Sequence, residues 1–150
     1  MFHWIRDNRT LVQQASRIGC IAYWLLLFVA THWPMPGVVL PHNSDKAVHL
    51  VAYTVLAYLV GLQFRQGYWR IRRWRLATAA VVCLWAVVDE LTQIPIPGRS
   101  ADVMDCLADW AGCAVGVIAV AIFVRVLKPG LNPDSQVVAT ARSNRNTKIG

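Results

Sequence analysis

The sequence predicts an all-α membrane protein of four transmembrane helices with both termini in the cytoplasm. Three observations predict it. The 150-residue chain is 56% hydrophobic and only 15% charged, with a mean hydropathy of +0.40, more apolar material than a soluble core of this size uses. The apolar residues gather into four runs of roughly 16–25 residues, against about 20 needed for one helical span. The basic residues gather on one side of those runs. At this length the chain is expected to hold one domain.

Residues 1–17 read as a basic, amphipathic cytoplasmic N-terminal arm carrying Arg6, Arg9 and Arg17. The first apolar run follows at about 18–33 and ends on the polar pair Thr31-His32. A secretory signal would also follow basic residues, yet Thr31-His32-Trp33-Pro34 provides no small-x-small cleavage site, so the run is read as an uncleaved span. Pro34, Pro36, Gly37 and Pro41 mark an irregular connection, and Asn43 or Ser44 is placed to cap the second helix. The second run, about 47–64, is entered through Asp45-Lys46. The third, about 76–94, holds Asp89, Glu90 and Gln93 in its last turns and stops at Pro95, Pro97 and Gly98. The fourth, about 103–127, carries acids only in its first two turns. These runs make a four-helix transmembrane domain at 18–128. Residues 129–150 turn polar after Pro129-Gly130 and read as a disordered cytoplasmic tail.

Charge sets the predicted orientation. Thirteen of the fifteen Lys and Arg residues lie in the N-terminal arm, the second connection (Arg65, Arg70, Arg72, Arg73, Arg75) or the C-terminal end; Lys46 and Arg99 alone lie on the other side. The positive-inside rule then places both termini and the second connection in the cytoplasm. Six of the eight acids, Asp45, Asp89, Glu90, Asp102, Asp105 and Asp109, fall on the outer side with Lys46 and Arg99. The net charge of +7 therefore hides an acidic outer face. The arginines at 70, 72, 73 and 75, interleaved with Trp69 and Trp74, have the composition of a nucleic-acid contact. Topology and headgroup binding account for them better, and no nucleic-acid partner is expected. Membrane lipids are the expected neighbours. Cys20, Cys83, Cys106 and Cys113 show no C-x2-C pair or zinc spacing, so no disulfide framework is indicated.

The outer-side acids fall in a pattern: D-K-x2-H-x3-Y at 45–53, D-E-x2-Q at 89–93 and P-G-R-x2-D-x2-D-x3-D at 97–109. Ionisable groups in a bilayer are expensive and usually face one another, a wet cavity or a ligand. Helical spacing puts Asp45, Lys46, His49 and Tyr53 on one stripe. Asp89 and Glu90 lie within one turn of Gln93. Asp102, Asp105 and Asp109 continue into Gly112 and Gly116, a G-x3-G surface that lets another backbone come close. All three stripes lie at the outer helix ends and are expected to converge in one pocket, with Lys46 and Arg99 as its fixed counter-charges. Asp102, Asp105 and Asp109 are candidate oxygen ligands for a divalent cation such as Mg²⁺. His49 or Glu90 is the candidate general base if the protein is an enzyme. No G-x-S-x-G elbow or H-E-x2-H zinc helix is present.

With these motifs, over roughly 20–125, the chain resembles the VanZ-like family, small bacterial integral membrane proteins named for a member linked to teicoplanin resistance. The resemblance implies residence in the bacterial cytoplasmic membrane and carries no settled biochemical activity. It rests on Asp45, Lys46, His49, Tyr53, Glu90, Gln93, Arg99, Asp102, Asp105, Gly112 and Gly116. Asp109 departs from it, since many members carry Asn there. The leading functional expectation is a binding protein whose outward polar pocket takes a lipid-linked envelope precursor, a cell-surface antibiotic or a membrane-protein partner. The alternatives are a metal-dependent enzyme acting on a phosphorylated lipid or glycan, and a purely structural subunit of an envelope complex.

Overall fold

The computed structural model describes residues 9–34, 44–66 and 72–126. They form four α-helices: α1 Arg9–Thr31, α2 Ser44–Gln66, α3 Trp74–Gln93 and α4 Val103–Val126. No strand occurs among the described residues. Each helix contains a candidate span, of 22, 22, 20 and 24 residues in chain order. At about 1.5 Å per residue each reaches the roughly 30 Å of a hydrocarbon core. The chain divides into two compact units, Met1–Val120 and Ala121–Gly150. Every interhelical contact given below lies in the first; in the second, the described residues 121–126 are α-helical.

The first helix begins at Arg9, well before the apolar run that marks it in the sequence. Leu11, Gln13, Gln14, Ala15 and Arg17 are good helix formers with no proline among them, so the backbone coils before the sequence turns apolar. Hydropathy marks where a helix can meet lipid; propensity decides where it starts. The first eight residues of the expected arm, the connection bearing Pro36, Gly37, Pro41 and Asn43, Trp69 and Arg70, and the 129–150 tail lie outside the described residues. Ser44 is the first residue of α2.

The outer faces are apolar. Leu25, Leu26 and Val29 on α1, Val48 and Val51 on α2, Leu84 and Leu91 on α3, and Leu107 and Ile118 on α4 are all exposed. A soluble bundle would leave this much apolar surface in water at about 25 cal/mol per Å²; lipid removes the penalty. The inner faces are narrow and mixed. Cys20 and Leu27 on α1 meet Tyr53, Leu56, Ala57 and Val60 on α2, Val82 and Ala86 on α3, and Cys113 on α4. The steps between them follow the helical repeat of three and four. Trp24 meets Trp85 edge to face, with ring centroids 5.4 Å apart, and Phe28 lies 5.8 Å from the same indole.

Glycines set how closely α4 approaches α2. A Cβ on Gly112 would lie 2.4 Å from Leu50 O, and one on Gly116 would lie 2.5 Å from Thr54 O and 2.8 Å from Ala57 Cβ. The G-x3-G stripe is thus a backbone-to-backbone contact, as its spacing predicts. On the other flank of α4, Trp110 Nε1–H donates to Cys83 O of α3 at 3.2 Å. Helix α1 joins α2 through Tyr23 Oη–H to Ala52 O at 3.0 Å and Gln63 Nε2–H to Ser16 Oγ at 2.7 Å. All four cysteines are free thiols.

Candidate functional site

The C-terminal ends of α1 and α3 meet the N-terminal ends of α2 and α4. A tight turn makes this possible: after α3, Ile96 N–H donates to Gln93 O at 2.9 Å and Arg99 N–H to Ile96 O at 3.0 Å. Gly98 occupies the left-handed position of the second turn at φ 80°, where a side chain would be strained. The chain then returns to start α4 with Asp102 as its cap. Asp102 Oδ1 accepts from Met104 N–H at 2.8 Å, and Asp102 O accepts from Asp105 N–H at 3.0 Å. Glu90 Oε2 of α3 accepts the N–H of Asp102 itself at 2.9 Å. Two carboxylates therefore satisfy donors at the positive end of α4, where negative charge is favoured.

Around this end the six acids form three groups. The outermost surrounds Lys46, whose Nζ donates to Asp102 Oδ2 at 3.0 Å, Asp105 Oδ1 at 3.1 Å and Asp45 Oδ2 at 3.3 Å. Three oxygens match the three ammonium hydrogens. The Met104 N–H, and after it Lys46, hold the Asp102 carboxyl below its ordinary value of 3.8.

One turn deeper, His49 is the hub. Its Nδ1 lies 3.0 Å from Asp109 Oδ1, and its Nε2 lies 3.9 Å from Asp105 Oδ2. Asp109 is fully buried, His49 is 9% exposed and Glu90 is 5% exposed. Asp105 links the layers, one oxygen on Lys46 and the other toward His49. Among the described residues, Glu90 Oε1, Asp109 Oδ2 and Tyr53 Oη are buried without a hydrogen-bond partner. An Asp at the centre of a span costs about 2.5–3.5 kcal/mol on insertion scales, so carboxylate oxygens left in this state are unusual.

The third group surrounds Asp89, which is fully buried and faces α1. Its Oδ1 accepts from Thr31 Oγ1–H at 3.1 Å and its Oδ2 from Gln93 Nε2–H at 3.3 Å. His32 Nδ1 stands 3.7 Å away, and His32 Nε2 lies 2.9 Å from Thr92 Oγ1. Asp89 and Glu90 are adjacent in sequence but about 100° apart around the helix, so one faces α1 and the other α4.

The stripes therefore meet at one end, as their spacing predicts, with two corrections. Arg99 is not a counter-charge to the acids: its guanidinium donates to Ala30 O at 3.1 Å and Trp33 O at 3.4 Å, closing the carbonyl end of α1. Free carbonyls at a helix end attract cations, and the turn at Gly98 carries Arg99 to them. Asp102, Asp105 and Asp109 do not form one metal-ligand set either. The first two turn to Lys46 and the third lies deeper on His49, because three acids spread over two turns of one helix face different depths of the bundle. Two other groups bring their ligand atoms within 4.8 Å of one another: Asp45, Asp102 and Asp105, and His49, Glu90 and Asp105. Thr31 and His32 were the site residues least visible in the sequence. Their one signal is a polar pair closing an apolar run.

With this arrangement in view, the family model described as VanZ/LLP1 matches residues 2–124. The chain belongs to the VanZ/LLP1 family. The match takes in α1, α2 and α3, α4 as far as residue 124, and every residue of the three acidic groups. No curated protein and no solved structure matches the chain. In this VanZ/LLP1 protein the polar motif and the glycine stripe act together: Gly112 and Gly116 bring α4 against α2, which sets Asp105 and Asp109 opposite Lys46 and His49.

Proposed function

We propose that this VanZ/LLP1 protein is a binding protein of the bacterial cytoplasmic membrane, whose acidic pocket opens toward the cell exterior and holds a cationic group of a cell-envelope ligand. One observation carries the reading. Lys46 is saturated by three carboxylates while Glu90 Oε1 and Asp109 Oδ2 are buried without partners. The fixed cation of the pocket is already used, so the unmet capacity is for positive charge. The distribution of thirteen basic residues to the opposite side and connections supports the outward orientation. Amine-bearing lipid-linked envelope precursors suit such a pocket because they present the amine at the membrane surface beside the helix ends.

The test is binding of an undecaprenyl-linked precursor to the protein in nanodiscs, compared with the same precursor after acetylation of its amines. Saturable binding should be lost on acetylation and weakened at least tenfold by Glu90→Gln. Equal binding of both forms, or none by protein that retains its helicity, would overturn the reading. Accumulation of a cleaved or transferred product would establish an enzyme in its place.

A further inference from the structure

We infer that His49, Glu90 and Asp105 form a site for one divalent transition-metal ion, with Asp109 positioning the histidine. The three side chains come from α2, α3 and α4, and their ligand atoms lie within 4.8 Å of one another. Proximity of acids alone would not distinguish a metal site from an ion-pair network. Three further features do.

The first is that Glu90 is held for the purpose. Its Oε2 is fixed by the Asp102 N–H at 2.9 Å, while Oε1 is buried in the cluster without a partner. The second concerns the histidine. Asp109 Oδ1 lies 3.0 Å from Nδ1, so with Nδ1–H donated to Asp109 the imidazole can offer Nε2 to a metal ion. Nε2 lies 3.9 Å from Asp105 Oδ2, beyond a hydrogen bond and wide enough for a metal ion to bridge the two atoms. A buried carboxylate behind a ligating imidazole is the usual way to fix its tautomer and raise its basicity, and Asp109 stands in that position. The third is the contrast with the outer group. Asp45, Asp102 and Asp105 also cluster, but the Lys46 ammonium stands among them and bonds one oxygen of each, so a protein cation already holds the place an ion would take.

The ligand set selects the ion. One imidazole with two carboxylates fits Zn²⁺, whose protein ligands include His nitrogen and Asp or Glu oxygen. It does not fit Ca²⁺ or Mg²⁺, which take oxygen throughout. The inference rests on the same unmet demand for positive charge as the binding reading above and assigns part of that demand to a resident metal ion. Metal uptake is measured with no envelope ligand present, and ligand binding is measured by acetylation of the ligand's amines, so failure of one is distinguishable from failure of the other.

The test is equilibrium dialysis of the full chain in nanodiscs against Zn²⁺ after chelation, with bound metal measured by elemental analysis. The expected result is about one Zn²⁺ per chain, not displaced by equimolar Mg²⁺. Glu90→Gln should weaken it at least tenfold, and His32→Gln should bind as the unaltered protein does. Asp109→Asn should keep the stoichiometry and lose about 10–100-fold in affinity. Cu²⁺ loaded in place of Zn²⁺ should show imidazole nitrogen coupling by electron paramagnetic resonance, lost in His49→Gln. The inference is overturned if helical, unaltered protein takes up no stoichiometric Zn²⁺. It is equally overturned if Glu90→Gln binds normally while Asp45→Asn does not, which would move the ion to the outer group.

Discussion

Thr31 Oγ1 donates to Asp89 Oδ1 at 3.1 Å, joining the last residue of α1 to a fully buried carboxylate on α3. Through this bond α1 contributes to the polar end of the bundle although it carries no acid there. It also separates Asp89 from the other acids: Asp89 has its own donors in Thr31 and Gln93, whereas Glu90, one residue on, turns to the start of α4.

Thr31→Val should therefore cost about 1–2 kcal/mol, the range of a hydrogen bond to a charged group and of interhelical bonds in lipid. Thr31→Ser should recover most of it. Reversible unfolding in mixed micelles measures the difference. Equal stability of the Val and Ser forms would show that Asp89 draws nothing from α1.

Gly112→Ala and Gly116→Ala should each destabilise the bundle by about 1–3 kcal/mol. A methyl at either position would press on α2 backbone oxygen at 2.4 or 2.5 Å, and backbone cannot rotate aside. Gly19→Ala is the matched control, since nothing lies within 4 Å of its Cβ position; there alanine should be neutral or stabilising by about 0.5–1 kcal/mol. The same micelle unfolding experiment ranks the three.

Acid should weaken the outer group in a defined window. The carboxyl of Asp102 titrates below its ordinary value in the folded protein because Met104 N–H and Lys46 favour its charged form. A depressed folded value means the unfolded chain binds the proton first. The stabilisation is then complete above the ordinary value of 3.8 and is lost as pH falls through the folded one. Thermal unfolding followed from about pH 5 to about pH 2 should show this loss. Asp102→Asn should be less stable at the upper end and converge with the unaltered protein at the lower.

Orientation is tested by cysteine accessibility in a background lacking Cys20, Cys83, Cys106 and Cys113. Ser100 and Arg72 are both exposed, at opposite ends of α3. Ser100→Cys should react with an impermeant maleimide in intact cells, and Arg72→Cys only after permeabilisation. The reverse pattern would put the acidic end in the cytoplasm.

What the sequence by itself determined was the set of helices and the end at which their chemistry gathers. Apolar runs of spanning length demand helices, because backbone groups in lipid must be satisfied within the segment. The spacings of three and four in Lys46-His49-Tyr53, Asp105-Asp109 and Gly112-Gly116 place each set on one helical face. What only the tertiary structure decided was the partner of each charge. Arg99 was expected among the acids, yet the turn at Gly98 delivers it to the carbonyls of α1. Asp109 was grouped with Asp102 and Asp105, yet it pairs with His49 a turn deeper. Asp89 and Glu90 share one motif and serve different neighbours. Helical period gives the direction of a side chain from its own axis. Which group waits in that direction depends on how far and at what depth the next helix packs, and in this bundle the contact of Gly112 and Gly116 with the α2 backbone sets that depth.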